Sequence, residues 1–129
     1  MTKTSIQTVA ELLDKYATGE RDFASVELGA VNLQGADLKG INLSYADLVG
    51  ADLTSCNLRG ADLSYANLSE ANLKGANLRG AMLIGTNLRA AILEEANLDQ
   101  ADYDRESTQF PDGFDPEKAG MKADRSAEI

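Results

Sequence analysis

The chain has 129 residues, a hydrophobic share of 43%, and 21 acidic against 12 basic side chains, which with no histidine leaves a formal net charge of -9. That length suits one domain, and the acidic balance argues against direct nucleic-acid binding and against docking on an anionic membrane, because both need a positive surface. One cysteine, Cys56, cannot form an internal disulfide. No apolar run approaches the roughly 18 residues of a membrane helix, and nothing resembling a secretory signal precedes the first regular segment, so a cytoplasmic protein is expected.

Residues 5–18 read as a helix. Ile6, Val9, Ala10, Leu13, Tyr16 and Ala17 fall at steps of three and four, Ser5 is a suitable N-cap, and Gly19 is a natural stop. A helix this short needs a surface for its apolar face, so residues 1–20 are expected to cap the segment that follows.

From residue 21 to 105 the chain repeats one phrase of five residues. Leucine stands at every fifth position from Leu28 to Leu98, with Phe23 and Tyr103 extending the series, alanine prevailing two places earlier and Asp or Asn directly before. In an α-helix a step of five overshoots a full turn by about 140° and spreads the leucines around the circumference. In a flat strand an odd step sends them to alternate faces. A chain that bends the same way once per phrase turns every leucine toward one axis, which is a solenoid.

The phrases ADLKG, ADLVG, ADLSY, ANLKG and ANLRG resemble the A(D/N)LXX signature of the pentapeptide repeat proteins. The resemblance implies an all-β solenoid: a right-handed quadrilateral β-helix with four phrases to the coil. Seventeen centres from Phe23 to Tyr103 then make about four coils, a stack about 20 Å long. Within the sequence, Gly40, Gly60 and Gly80 recur at the matching spacing of twenty, as do Tyr45 and Tyr65, and Lys39, Arg59 and Arg79. Cys56 and Thr86 take places usually held by alanine, so both are expected inside, and the Thr86 hydroxyl must find a carbonyl. Asp or Asn before each leucine points outward, within reach of turn backbone, and the glycines suit corners of positive φ.

The phrase lapses after Tyr103. TQFPDGFDPEKAGM is similar to a tail on pentapeptide repeat proteins of photosynthetic bacteria. Residues 106–129 are read as a C-terminal cap and tail: Phe110 and Phe114 cover the last coil, Asp115 opens a short helix over 116–119, and the chain is disordered from about Lys122.

Catalysis has little to work with, since there is no histidine and Cys56 has no partner base. The carboxylates Glu94, Glu95, Asp99, Asp102 and Asp104 read as a solvated face, and neither a metal nor a cofactor is expected. Function is therefore sought in departures from the outward pattern, where Met82, Ile84 and Ile92 replace Asp, Asn or another polar residue. Tyr45 and Tyr65 stack at one corner, and Met82 and Ile84 stand on the adjoining wall where Asn42, Asp62, Ser44 and Ser64 stand in earlier coils. Lys39, Arg59 and Arg79 make a basic stripe on another face. The reading is a non-enzymatic protein-protein interaction or scaffold module, monomeric or weakly dimeric. The alternative, drawn from the family resemblance, is a DNA-mimicking gyrase-binding protein; the acidity agrees with it, while the mixture of Asp with Asn outside and the basic stripe oppose it.

Overall fold

The structure, a computed structural model, describes residues 6–123. Its repeating unit is visible in the backbone pairing. Parallel bridges join residues twenty apart: Asp22 to Asn42, Asn42 to Asp62, Asp62 to Met82 and Met82 to Asp102 run down a first wall. Glu27, Asp47, Asn67 and Asn87 mark the second wall, Asn32, Asp52, Asn72 and Ile92 the third, and Asp37, Asn57, Asn77 and Asn97 the fourth. Between walls the chain turns in a closed bend, as where Ala51 N–H donates to Leu48 O at 3.0 Å.

The third residue of every such bend has positive φ, between 57° and 72° along the array. Glycine meets that demand without strain, as at Gly40, Gly60 and Gly80. Side chains also stand there, notably Tyr45 at 62° and Tyr65 at 61°. The Asp or Asn before each leucine does the local work its short side chain allows: Asn42 Oδ1 accepts from Ser44 N–H and Asp62 Oδ1 from Ser64 N–H, both at 3.0 Å.

Inside, the leucine column from Leu38 to Leu88 is completely buried beside Ala51, Ala61, Ala71 and Ala81. Burial of each leucine contributes roughly 1.5–3 kcal/mol, spread evenly along the array. Cys56 and Thr86 lie in the alanine column. The Thr86 hydroxyl donates to Leu63 O at 2.7 Å, and the Cys56 thiol to Leu33 O at 2.7 Å.

Helix α1, Val9–Ala17, starts later than the sequence pattern suggests. Thr8 is its N-cap, accepting from Glu11 N–H, while Glu11 in turn accepts from the Thr8 hydroxyl and Gln7 N–H. Ser5, the expected cap, lies outside the described residues. The buried face also differs: Leu12 is fully buried with Ile6, whereas Ala10, Leu13 and Ala17 are exposed. Val9, Leu12 and Tyr16 satisfy the same three-and-four spacing, and contact with the array decides between the two faces. Tyr16 Oη anchors the helix by donating to Lys39 O at 2.6 Å.

The other end holds a further phrase that sequence reading missed. Gln109 bridges Asn87, twenty-two residues away, so two extra residues bulge out between Tyr103 and Thr108. Thr108 then fills the small inward place and Phe110 the leucine place. The Thr108 hydroxyl bridges the bulge, donating to Leu83 O at 2.7 Å and accepting from Gly85 N–H at 3.2 Å and Asp104 N–H at 3.0 Å. Phe110 packs edge-on against Tyr103 and stacks on Phe114, so both phenylalanines lie against the core. Strand β1, Asp102–Tyr103, pairs in parallel with β2, Lys122–Ala123. Lys122 and Ala123 are therefore ordered strand rather than the start of a disordered tail. Residues 116–120 form turns rather than a helix, although Asp115 Oδ1 accepts from Glu117 N–H at 3.0 Å as a cap would. Five residues are too few to repay helix nucleation when the backbone must rejoin the sheet at Lys122.

Candidate functional site

The corner between the first and second walls carries a column made of Ser25, Tyr45, Tyr65 and Gly85. Tyr45 and Tyr65 stack with ring centroids 5.2 Å apart and planes 15° off parallel, and they remain 63% and 51% exposed. Below them Tyr65 lies across Gly85, where any Cβ would collide with its ring. Gly85 is a member of the site that sequence reading passed over as one more corner glycine. Its signal was the spacing of twenty from Tyr65.

Met82 stands outward on the first wall, 42% exposed, one coil below Asp62. Its side chain has no oxygen, so Ile84 N–H lacks the acceptor that Asn42 and Asp62 offer Ser44 and Ser64 in the same column. Ile84 is only half-buried. Tyr45, Tyr65, Met82 and Ile84 thus share one wall and its edge. Lys39, Arg59 and Arg79 fall in one column beside the fourth wall, and that column ends on Asp99, which Arg79 engages in an ion pair. Lys39 lies 3.9 Å from Asp37. The stripe is thus partly neutralised by its own wall.

Acid-base chemistry finds little support. The Thr54 hydroxyl and then its backbone N–H hold the Asp52 carboxyl below its ordinary range, and the Ser107 hydroxyl with Glu106 N–H does the same for Asp104. A general base at neutral pH needs the opposite displacement. Among the described residues no group of carboxylate or thiol side chains is placed to hold a metal ion, and no helix is long and apolar enough to cross a membrane. A shallow groove of about 280 Å³ between Leu93 and Phe114 is lined by two carboxylates, Glu94 and Asp112, and by no other polar side chain.

Burial pushes the Cys56 thiol from 9.0 up to about 11, so it is a packing group rather than a nucleophile. Since the fold disfavours the thiolate, its contribution is complete below pH 9 and is lost as pH rises toward 11. In that window the wild type should lose stability relative to Cys56→Ala at about 1.4 kcal/mol per pH step, as measured by urea melts of both chains.

The Pentapeptide repeats family model matches residues 22–60 and 61–100, in eight copies. The chain belongs to the pentapeptide repeat family. Its fold is the family's right-handed quadrilateral β-helix. The crystal structure of alr5209, a pentapeptide repeat protein from Nostoc Pcc 7120, is 52% identical, covers 95% of this chain and 100% of its own, and superposes with a TM-score of 0.92. HetL, a pentapeptide repeat protein involved in heterocyst differentiation regulation in Nostoc sp. strain PCC 7120, is 35% identical over 82% of this chain and 57% of its own, with a TM-score of 0.33. Rfr23 from the cyanobacterium Cyanothece 51142 is 28% identical over 94% and 75%, with a TM-score of 0.33. Among curated proteins no match was found. The pentapeptide repeat accounts for the inward leucines and the outward Asp and Asn, and leaves the tyrosine corner, Met82 on the first wall and the equally exposed Ile92 on the third as departures from it.

Proposed function

We propose that this pentapeptide repeat protein is a non-enzymatic interaction module that holds a partner protein against its first wall and the Tyr45–Tyr65 corner. One observation carries the reading. Two tyrosines occupy bends of positive φ where a non-glycine residue costs of the order of 1–2 kcal/mol, and they expose more than half their surface there. Ser25, Ala30, Ser55, Glu70, Ala90, Glu95 and Gln100 also take such bends, but all are small or polar, and only the tyrosines spend the strained position on a large, exposed, stacked ring. Met82 adds to it, exchanging a hydrogen-bonding side chain for an exposed apolar one.

A free, buried thiol fits a cytoplasmic setting, and the solvated walls fit a monomer or weak homodimer. The DNA-mimicking, gyrase-binding alternative is weaker, because the cations of the fourth wall interrupt the acidic field and a stack of about 20 Å is short beside a duplex-binding site. A gyrase supercoiling assay unaffected by the protein removes it.

The interaction reading is tested by affinity capture from the native cell extract. Met82→Asn combined with Ile84→Ser, the residues of the same columns in an earlier coil, should lose a protein that the wild-type chain retains, while melting as a folded domain. An identical set of captured proteins would contradict the reading.

A further inference from the structure

The register that stacks the coils also sorts their charges. Over the first three coils, the first two walls and their corners carry Asp22, Glu27, Asp47, Asp62 and Glu70, with no lysine or arginine. The third and fourth walls of the same coils carry Lys39, Arg59, Lys74 and Arg79 against Asp37 and Asp52. Over these three coils one half of the prism is acidic and the other slightly basic, whereas in the fourth coil Arg89 stands on the second wall and Glu94, Glu95 and Asp99 on the third and fourth. Arg21, at the N-terminal border of the acidic half, is turned onto Tyr16, its guanidinium donating to Tyr16 O and Glu20 O.

The tyrosine corner is the ridge of that acidic half. Tyr65 takes one face of the Tyr45 ring, while the next residue up the column is Ser25, whose small side chain leaves the other face open. A tyrosine face bordered by carboxylates suits a planar cation best, because a guanidinium lies flat on the ring while its N–H edge reaches the acids. A lysine ammonium offers the charge without the flat surface. The chain makes such a stack itself, with the Arg21 guanidinium 3.7 Å from the centre of the Tyr16 ring.

We infer that the Tyr45–Tyr65 corner docks an arginine-bearing basic segment of a partner protein, with a guanidinium on the open face of Tyr45 and the carboxylates of Glu27 and Asp47, paired across the first two coils of the adjoining wall, beside it. This rests on the interaction reading and adds the chemistry of the partner.

The test titrates fluorescein-labelled octa-arginine and octa-lysine with the full chain, following anisotropy at low salt and at about 0.15 M. Octa-arginine should bind roughly two- to fivefold more tightly than octa-lysine. Tyr45→Gly should abolish that preference without unfolding the chain, since Gly85 already fills the same column and glycine suits the φ of 62°. Glu27→Gln with Asp47→Asn, which keeps the turn-bonding oxygen of residue 47, should weaken both peptides and flatten their salt dependence. Asp37→Asn with Asp52→Asn, on the far walls, should change neither. The inference is overturned by equal binding of the two peptides, by a preference that survives Tyr45→Gly, or by far-wall variants that weaken binding as much as the near ones. Capture lost on Met82→Asn with Ile84→Ser but no arginine preference overturns the partner chemistry alone. An arginine preference abolished by Tyr45→Gly, with capture untouched, removes the Met82 and Ile84 face and leaves the docking corner standing.

Discussion

Leu63→Ala should lower the stability of the chain by about 2–5 kcal/mol, the range for a fully buried leucine replaced where neighbours close in only partly. Leu63 sits in the first-wall column between Leu43 and Leu83, with Ala61 and Ala66 at its sides, and none of these can reach into the space without dragging a paired coil along. The narrow alanine flanks that make the interior pack well also make it unable to adapt. Urea unfolding should show a lower midpoint with an unchanged slope, because the surface exposed on unfolding is nearly the same. A melt indistinguishable from the wild type would place Leu63 outside the core and undo the twenty-residue register.

Thr108→Val is the second large effect, and it probes the part of the fold where the repeat departs from its own rule. The two-residue bulge denies Gly85 N–H the carbonyl that its column mates Tyr45 and Tyr65 bond in the following coil. The Thr108 hydroxyl substitutes for it and serves Asp104 N–H as well. Valine keeps the volume and removes the oxygen, leaving both donors without a partner at a site only 8% exposed, for a loss of about 2–4 kcal/mol. Thr108→Ser should restore most of it. Thr86→Val is the informative comparison. Its hydroxyl meets Leu63 O, which also accepts from Ala66 N–H, so the loss there should stay near 1 kcal/mol. Equal losses at the two threonines would show that the bulge does not depend on Thr108.

The array was legible because one period carried both its interior and its exterior. A leucine at every fifth place admits no regular helix or strand, and an Asp or Asn before it bonds the next turn whichever coil it is in. The ends were less legible because there tertiary contact outweighs local pattern. Leu12 and Leu13 satisfy the spacing of an apolar face equally well, and only the open coil beneath selects Leu12. Thr108, Gln109 and Phe110 repeat the phrase of Thr86, Asn87 and Leu88, but a shift of two residues hid it. Lys122 reads as a polar tail until Asp102 is seen to need a partner strand. In the candidate site, the stacking of Tyr45 on Tyr65 followed from the spacing alone. The place of Gly85 beneath them did not, since seven glycines stand at bends of this kind.

The claim that partners meet this protein on its first wall is tested most directly by photo-crosslinking at two equivalent positions on opposite walls. A benzophenone side chain in place of Ser44 lies on the first wall beside Tyr45, and one in place of Thr54 lies at the same point of the phrase on the third wall. Irradiation in the native extract should yield a discrete adduct from position 44 and none from position 54. An adduct from position 54 alone, or equal adducts from both, would contradict the account.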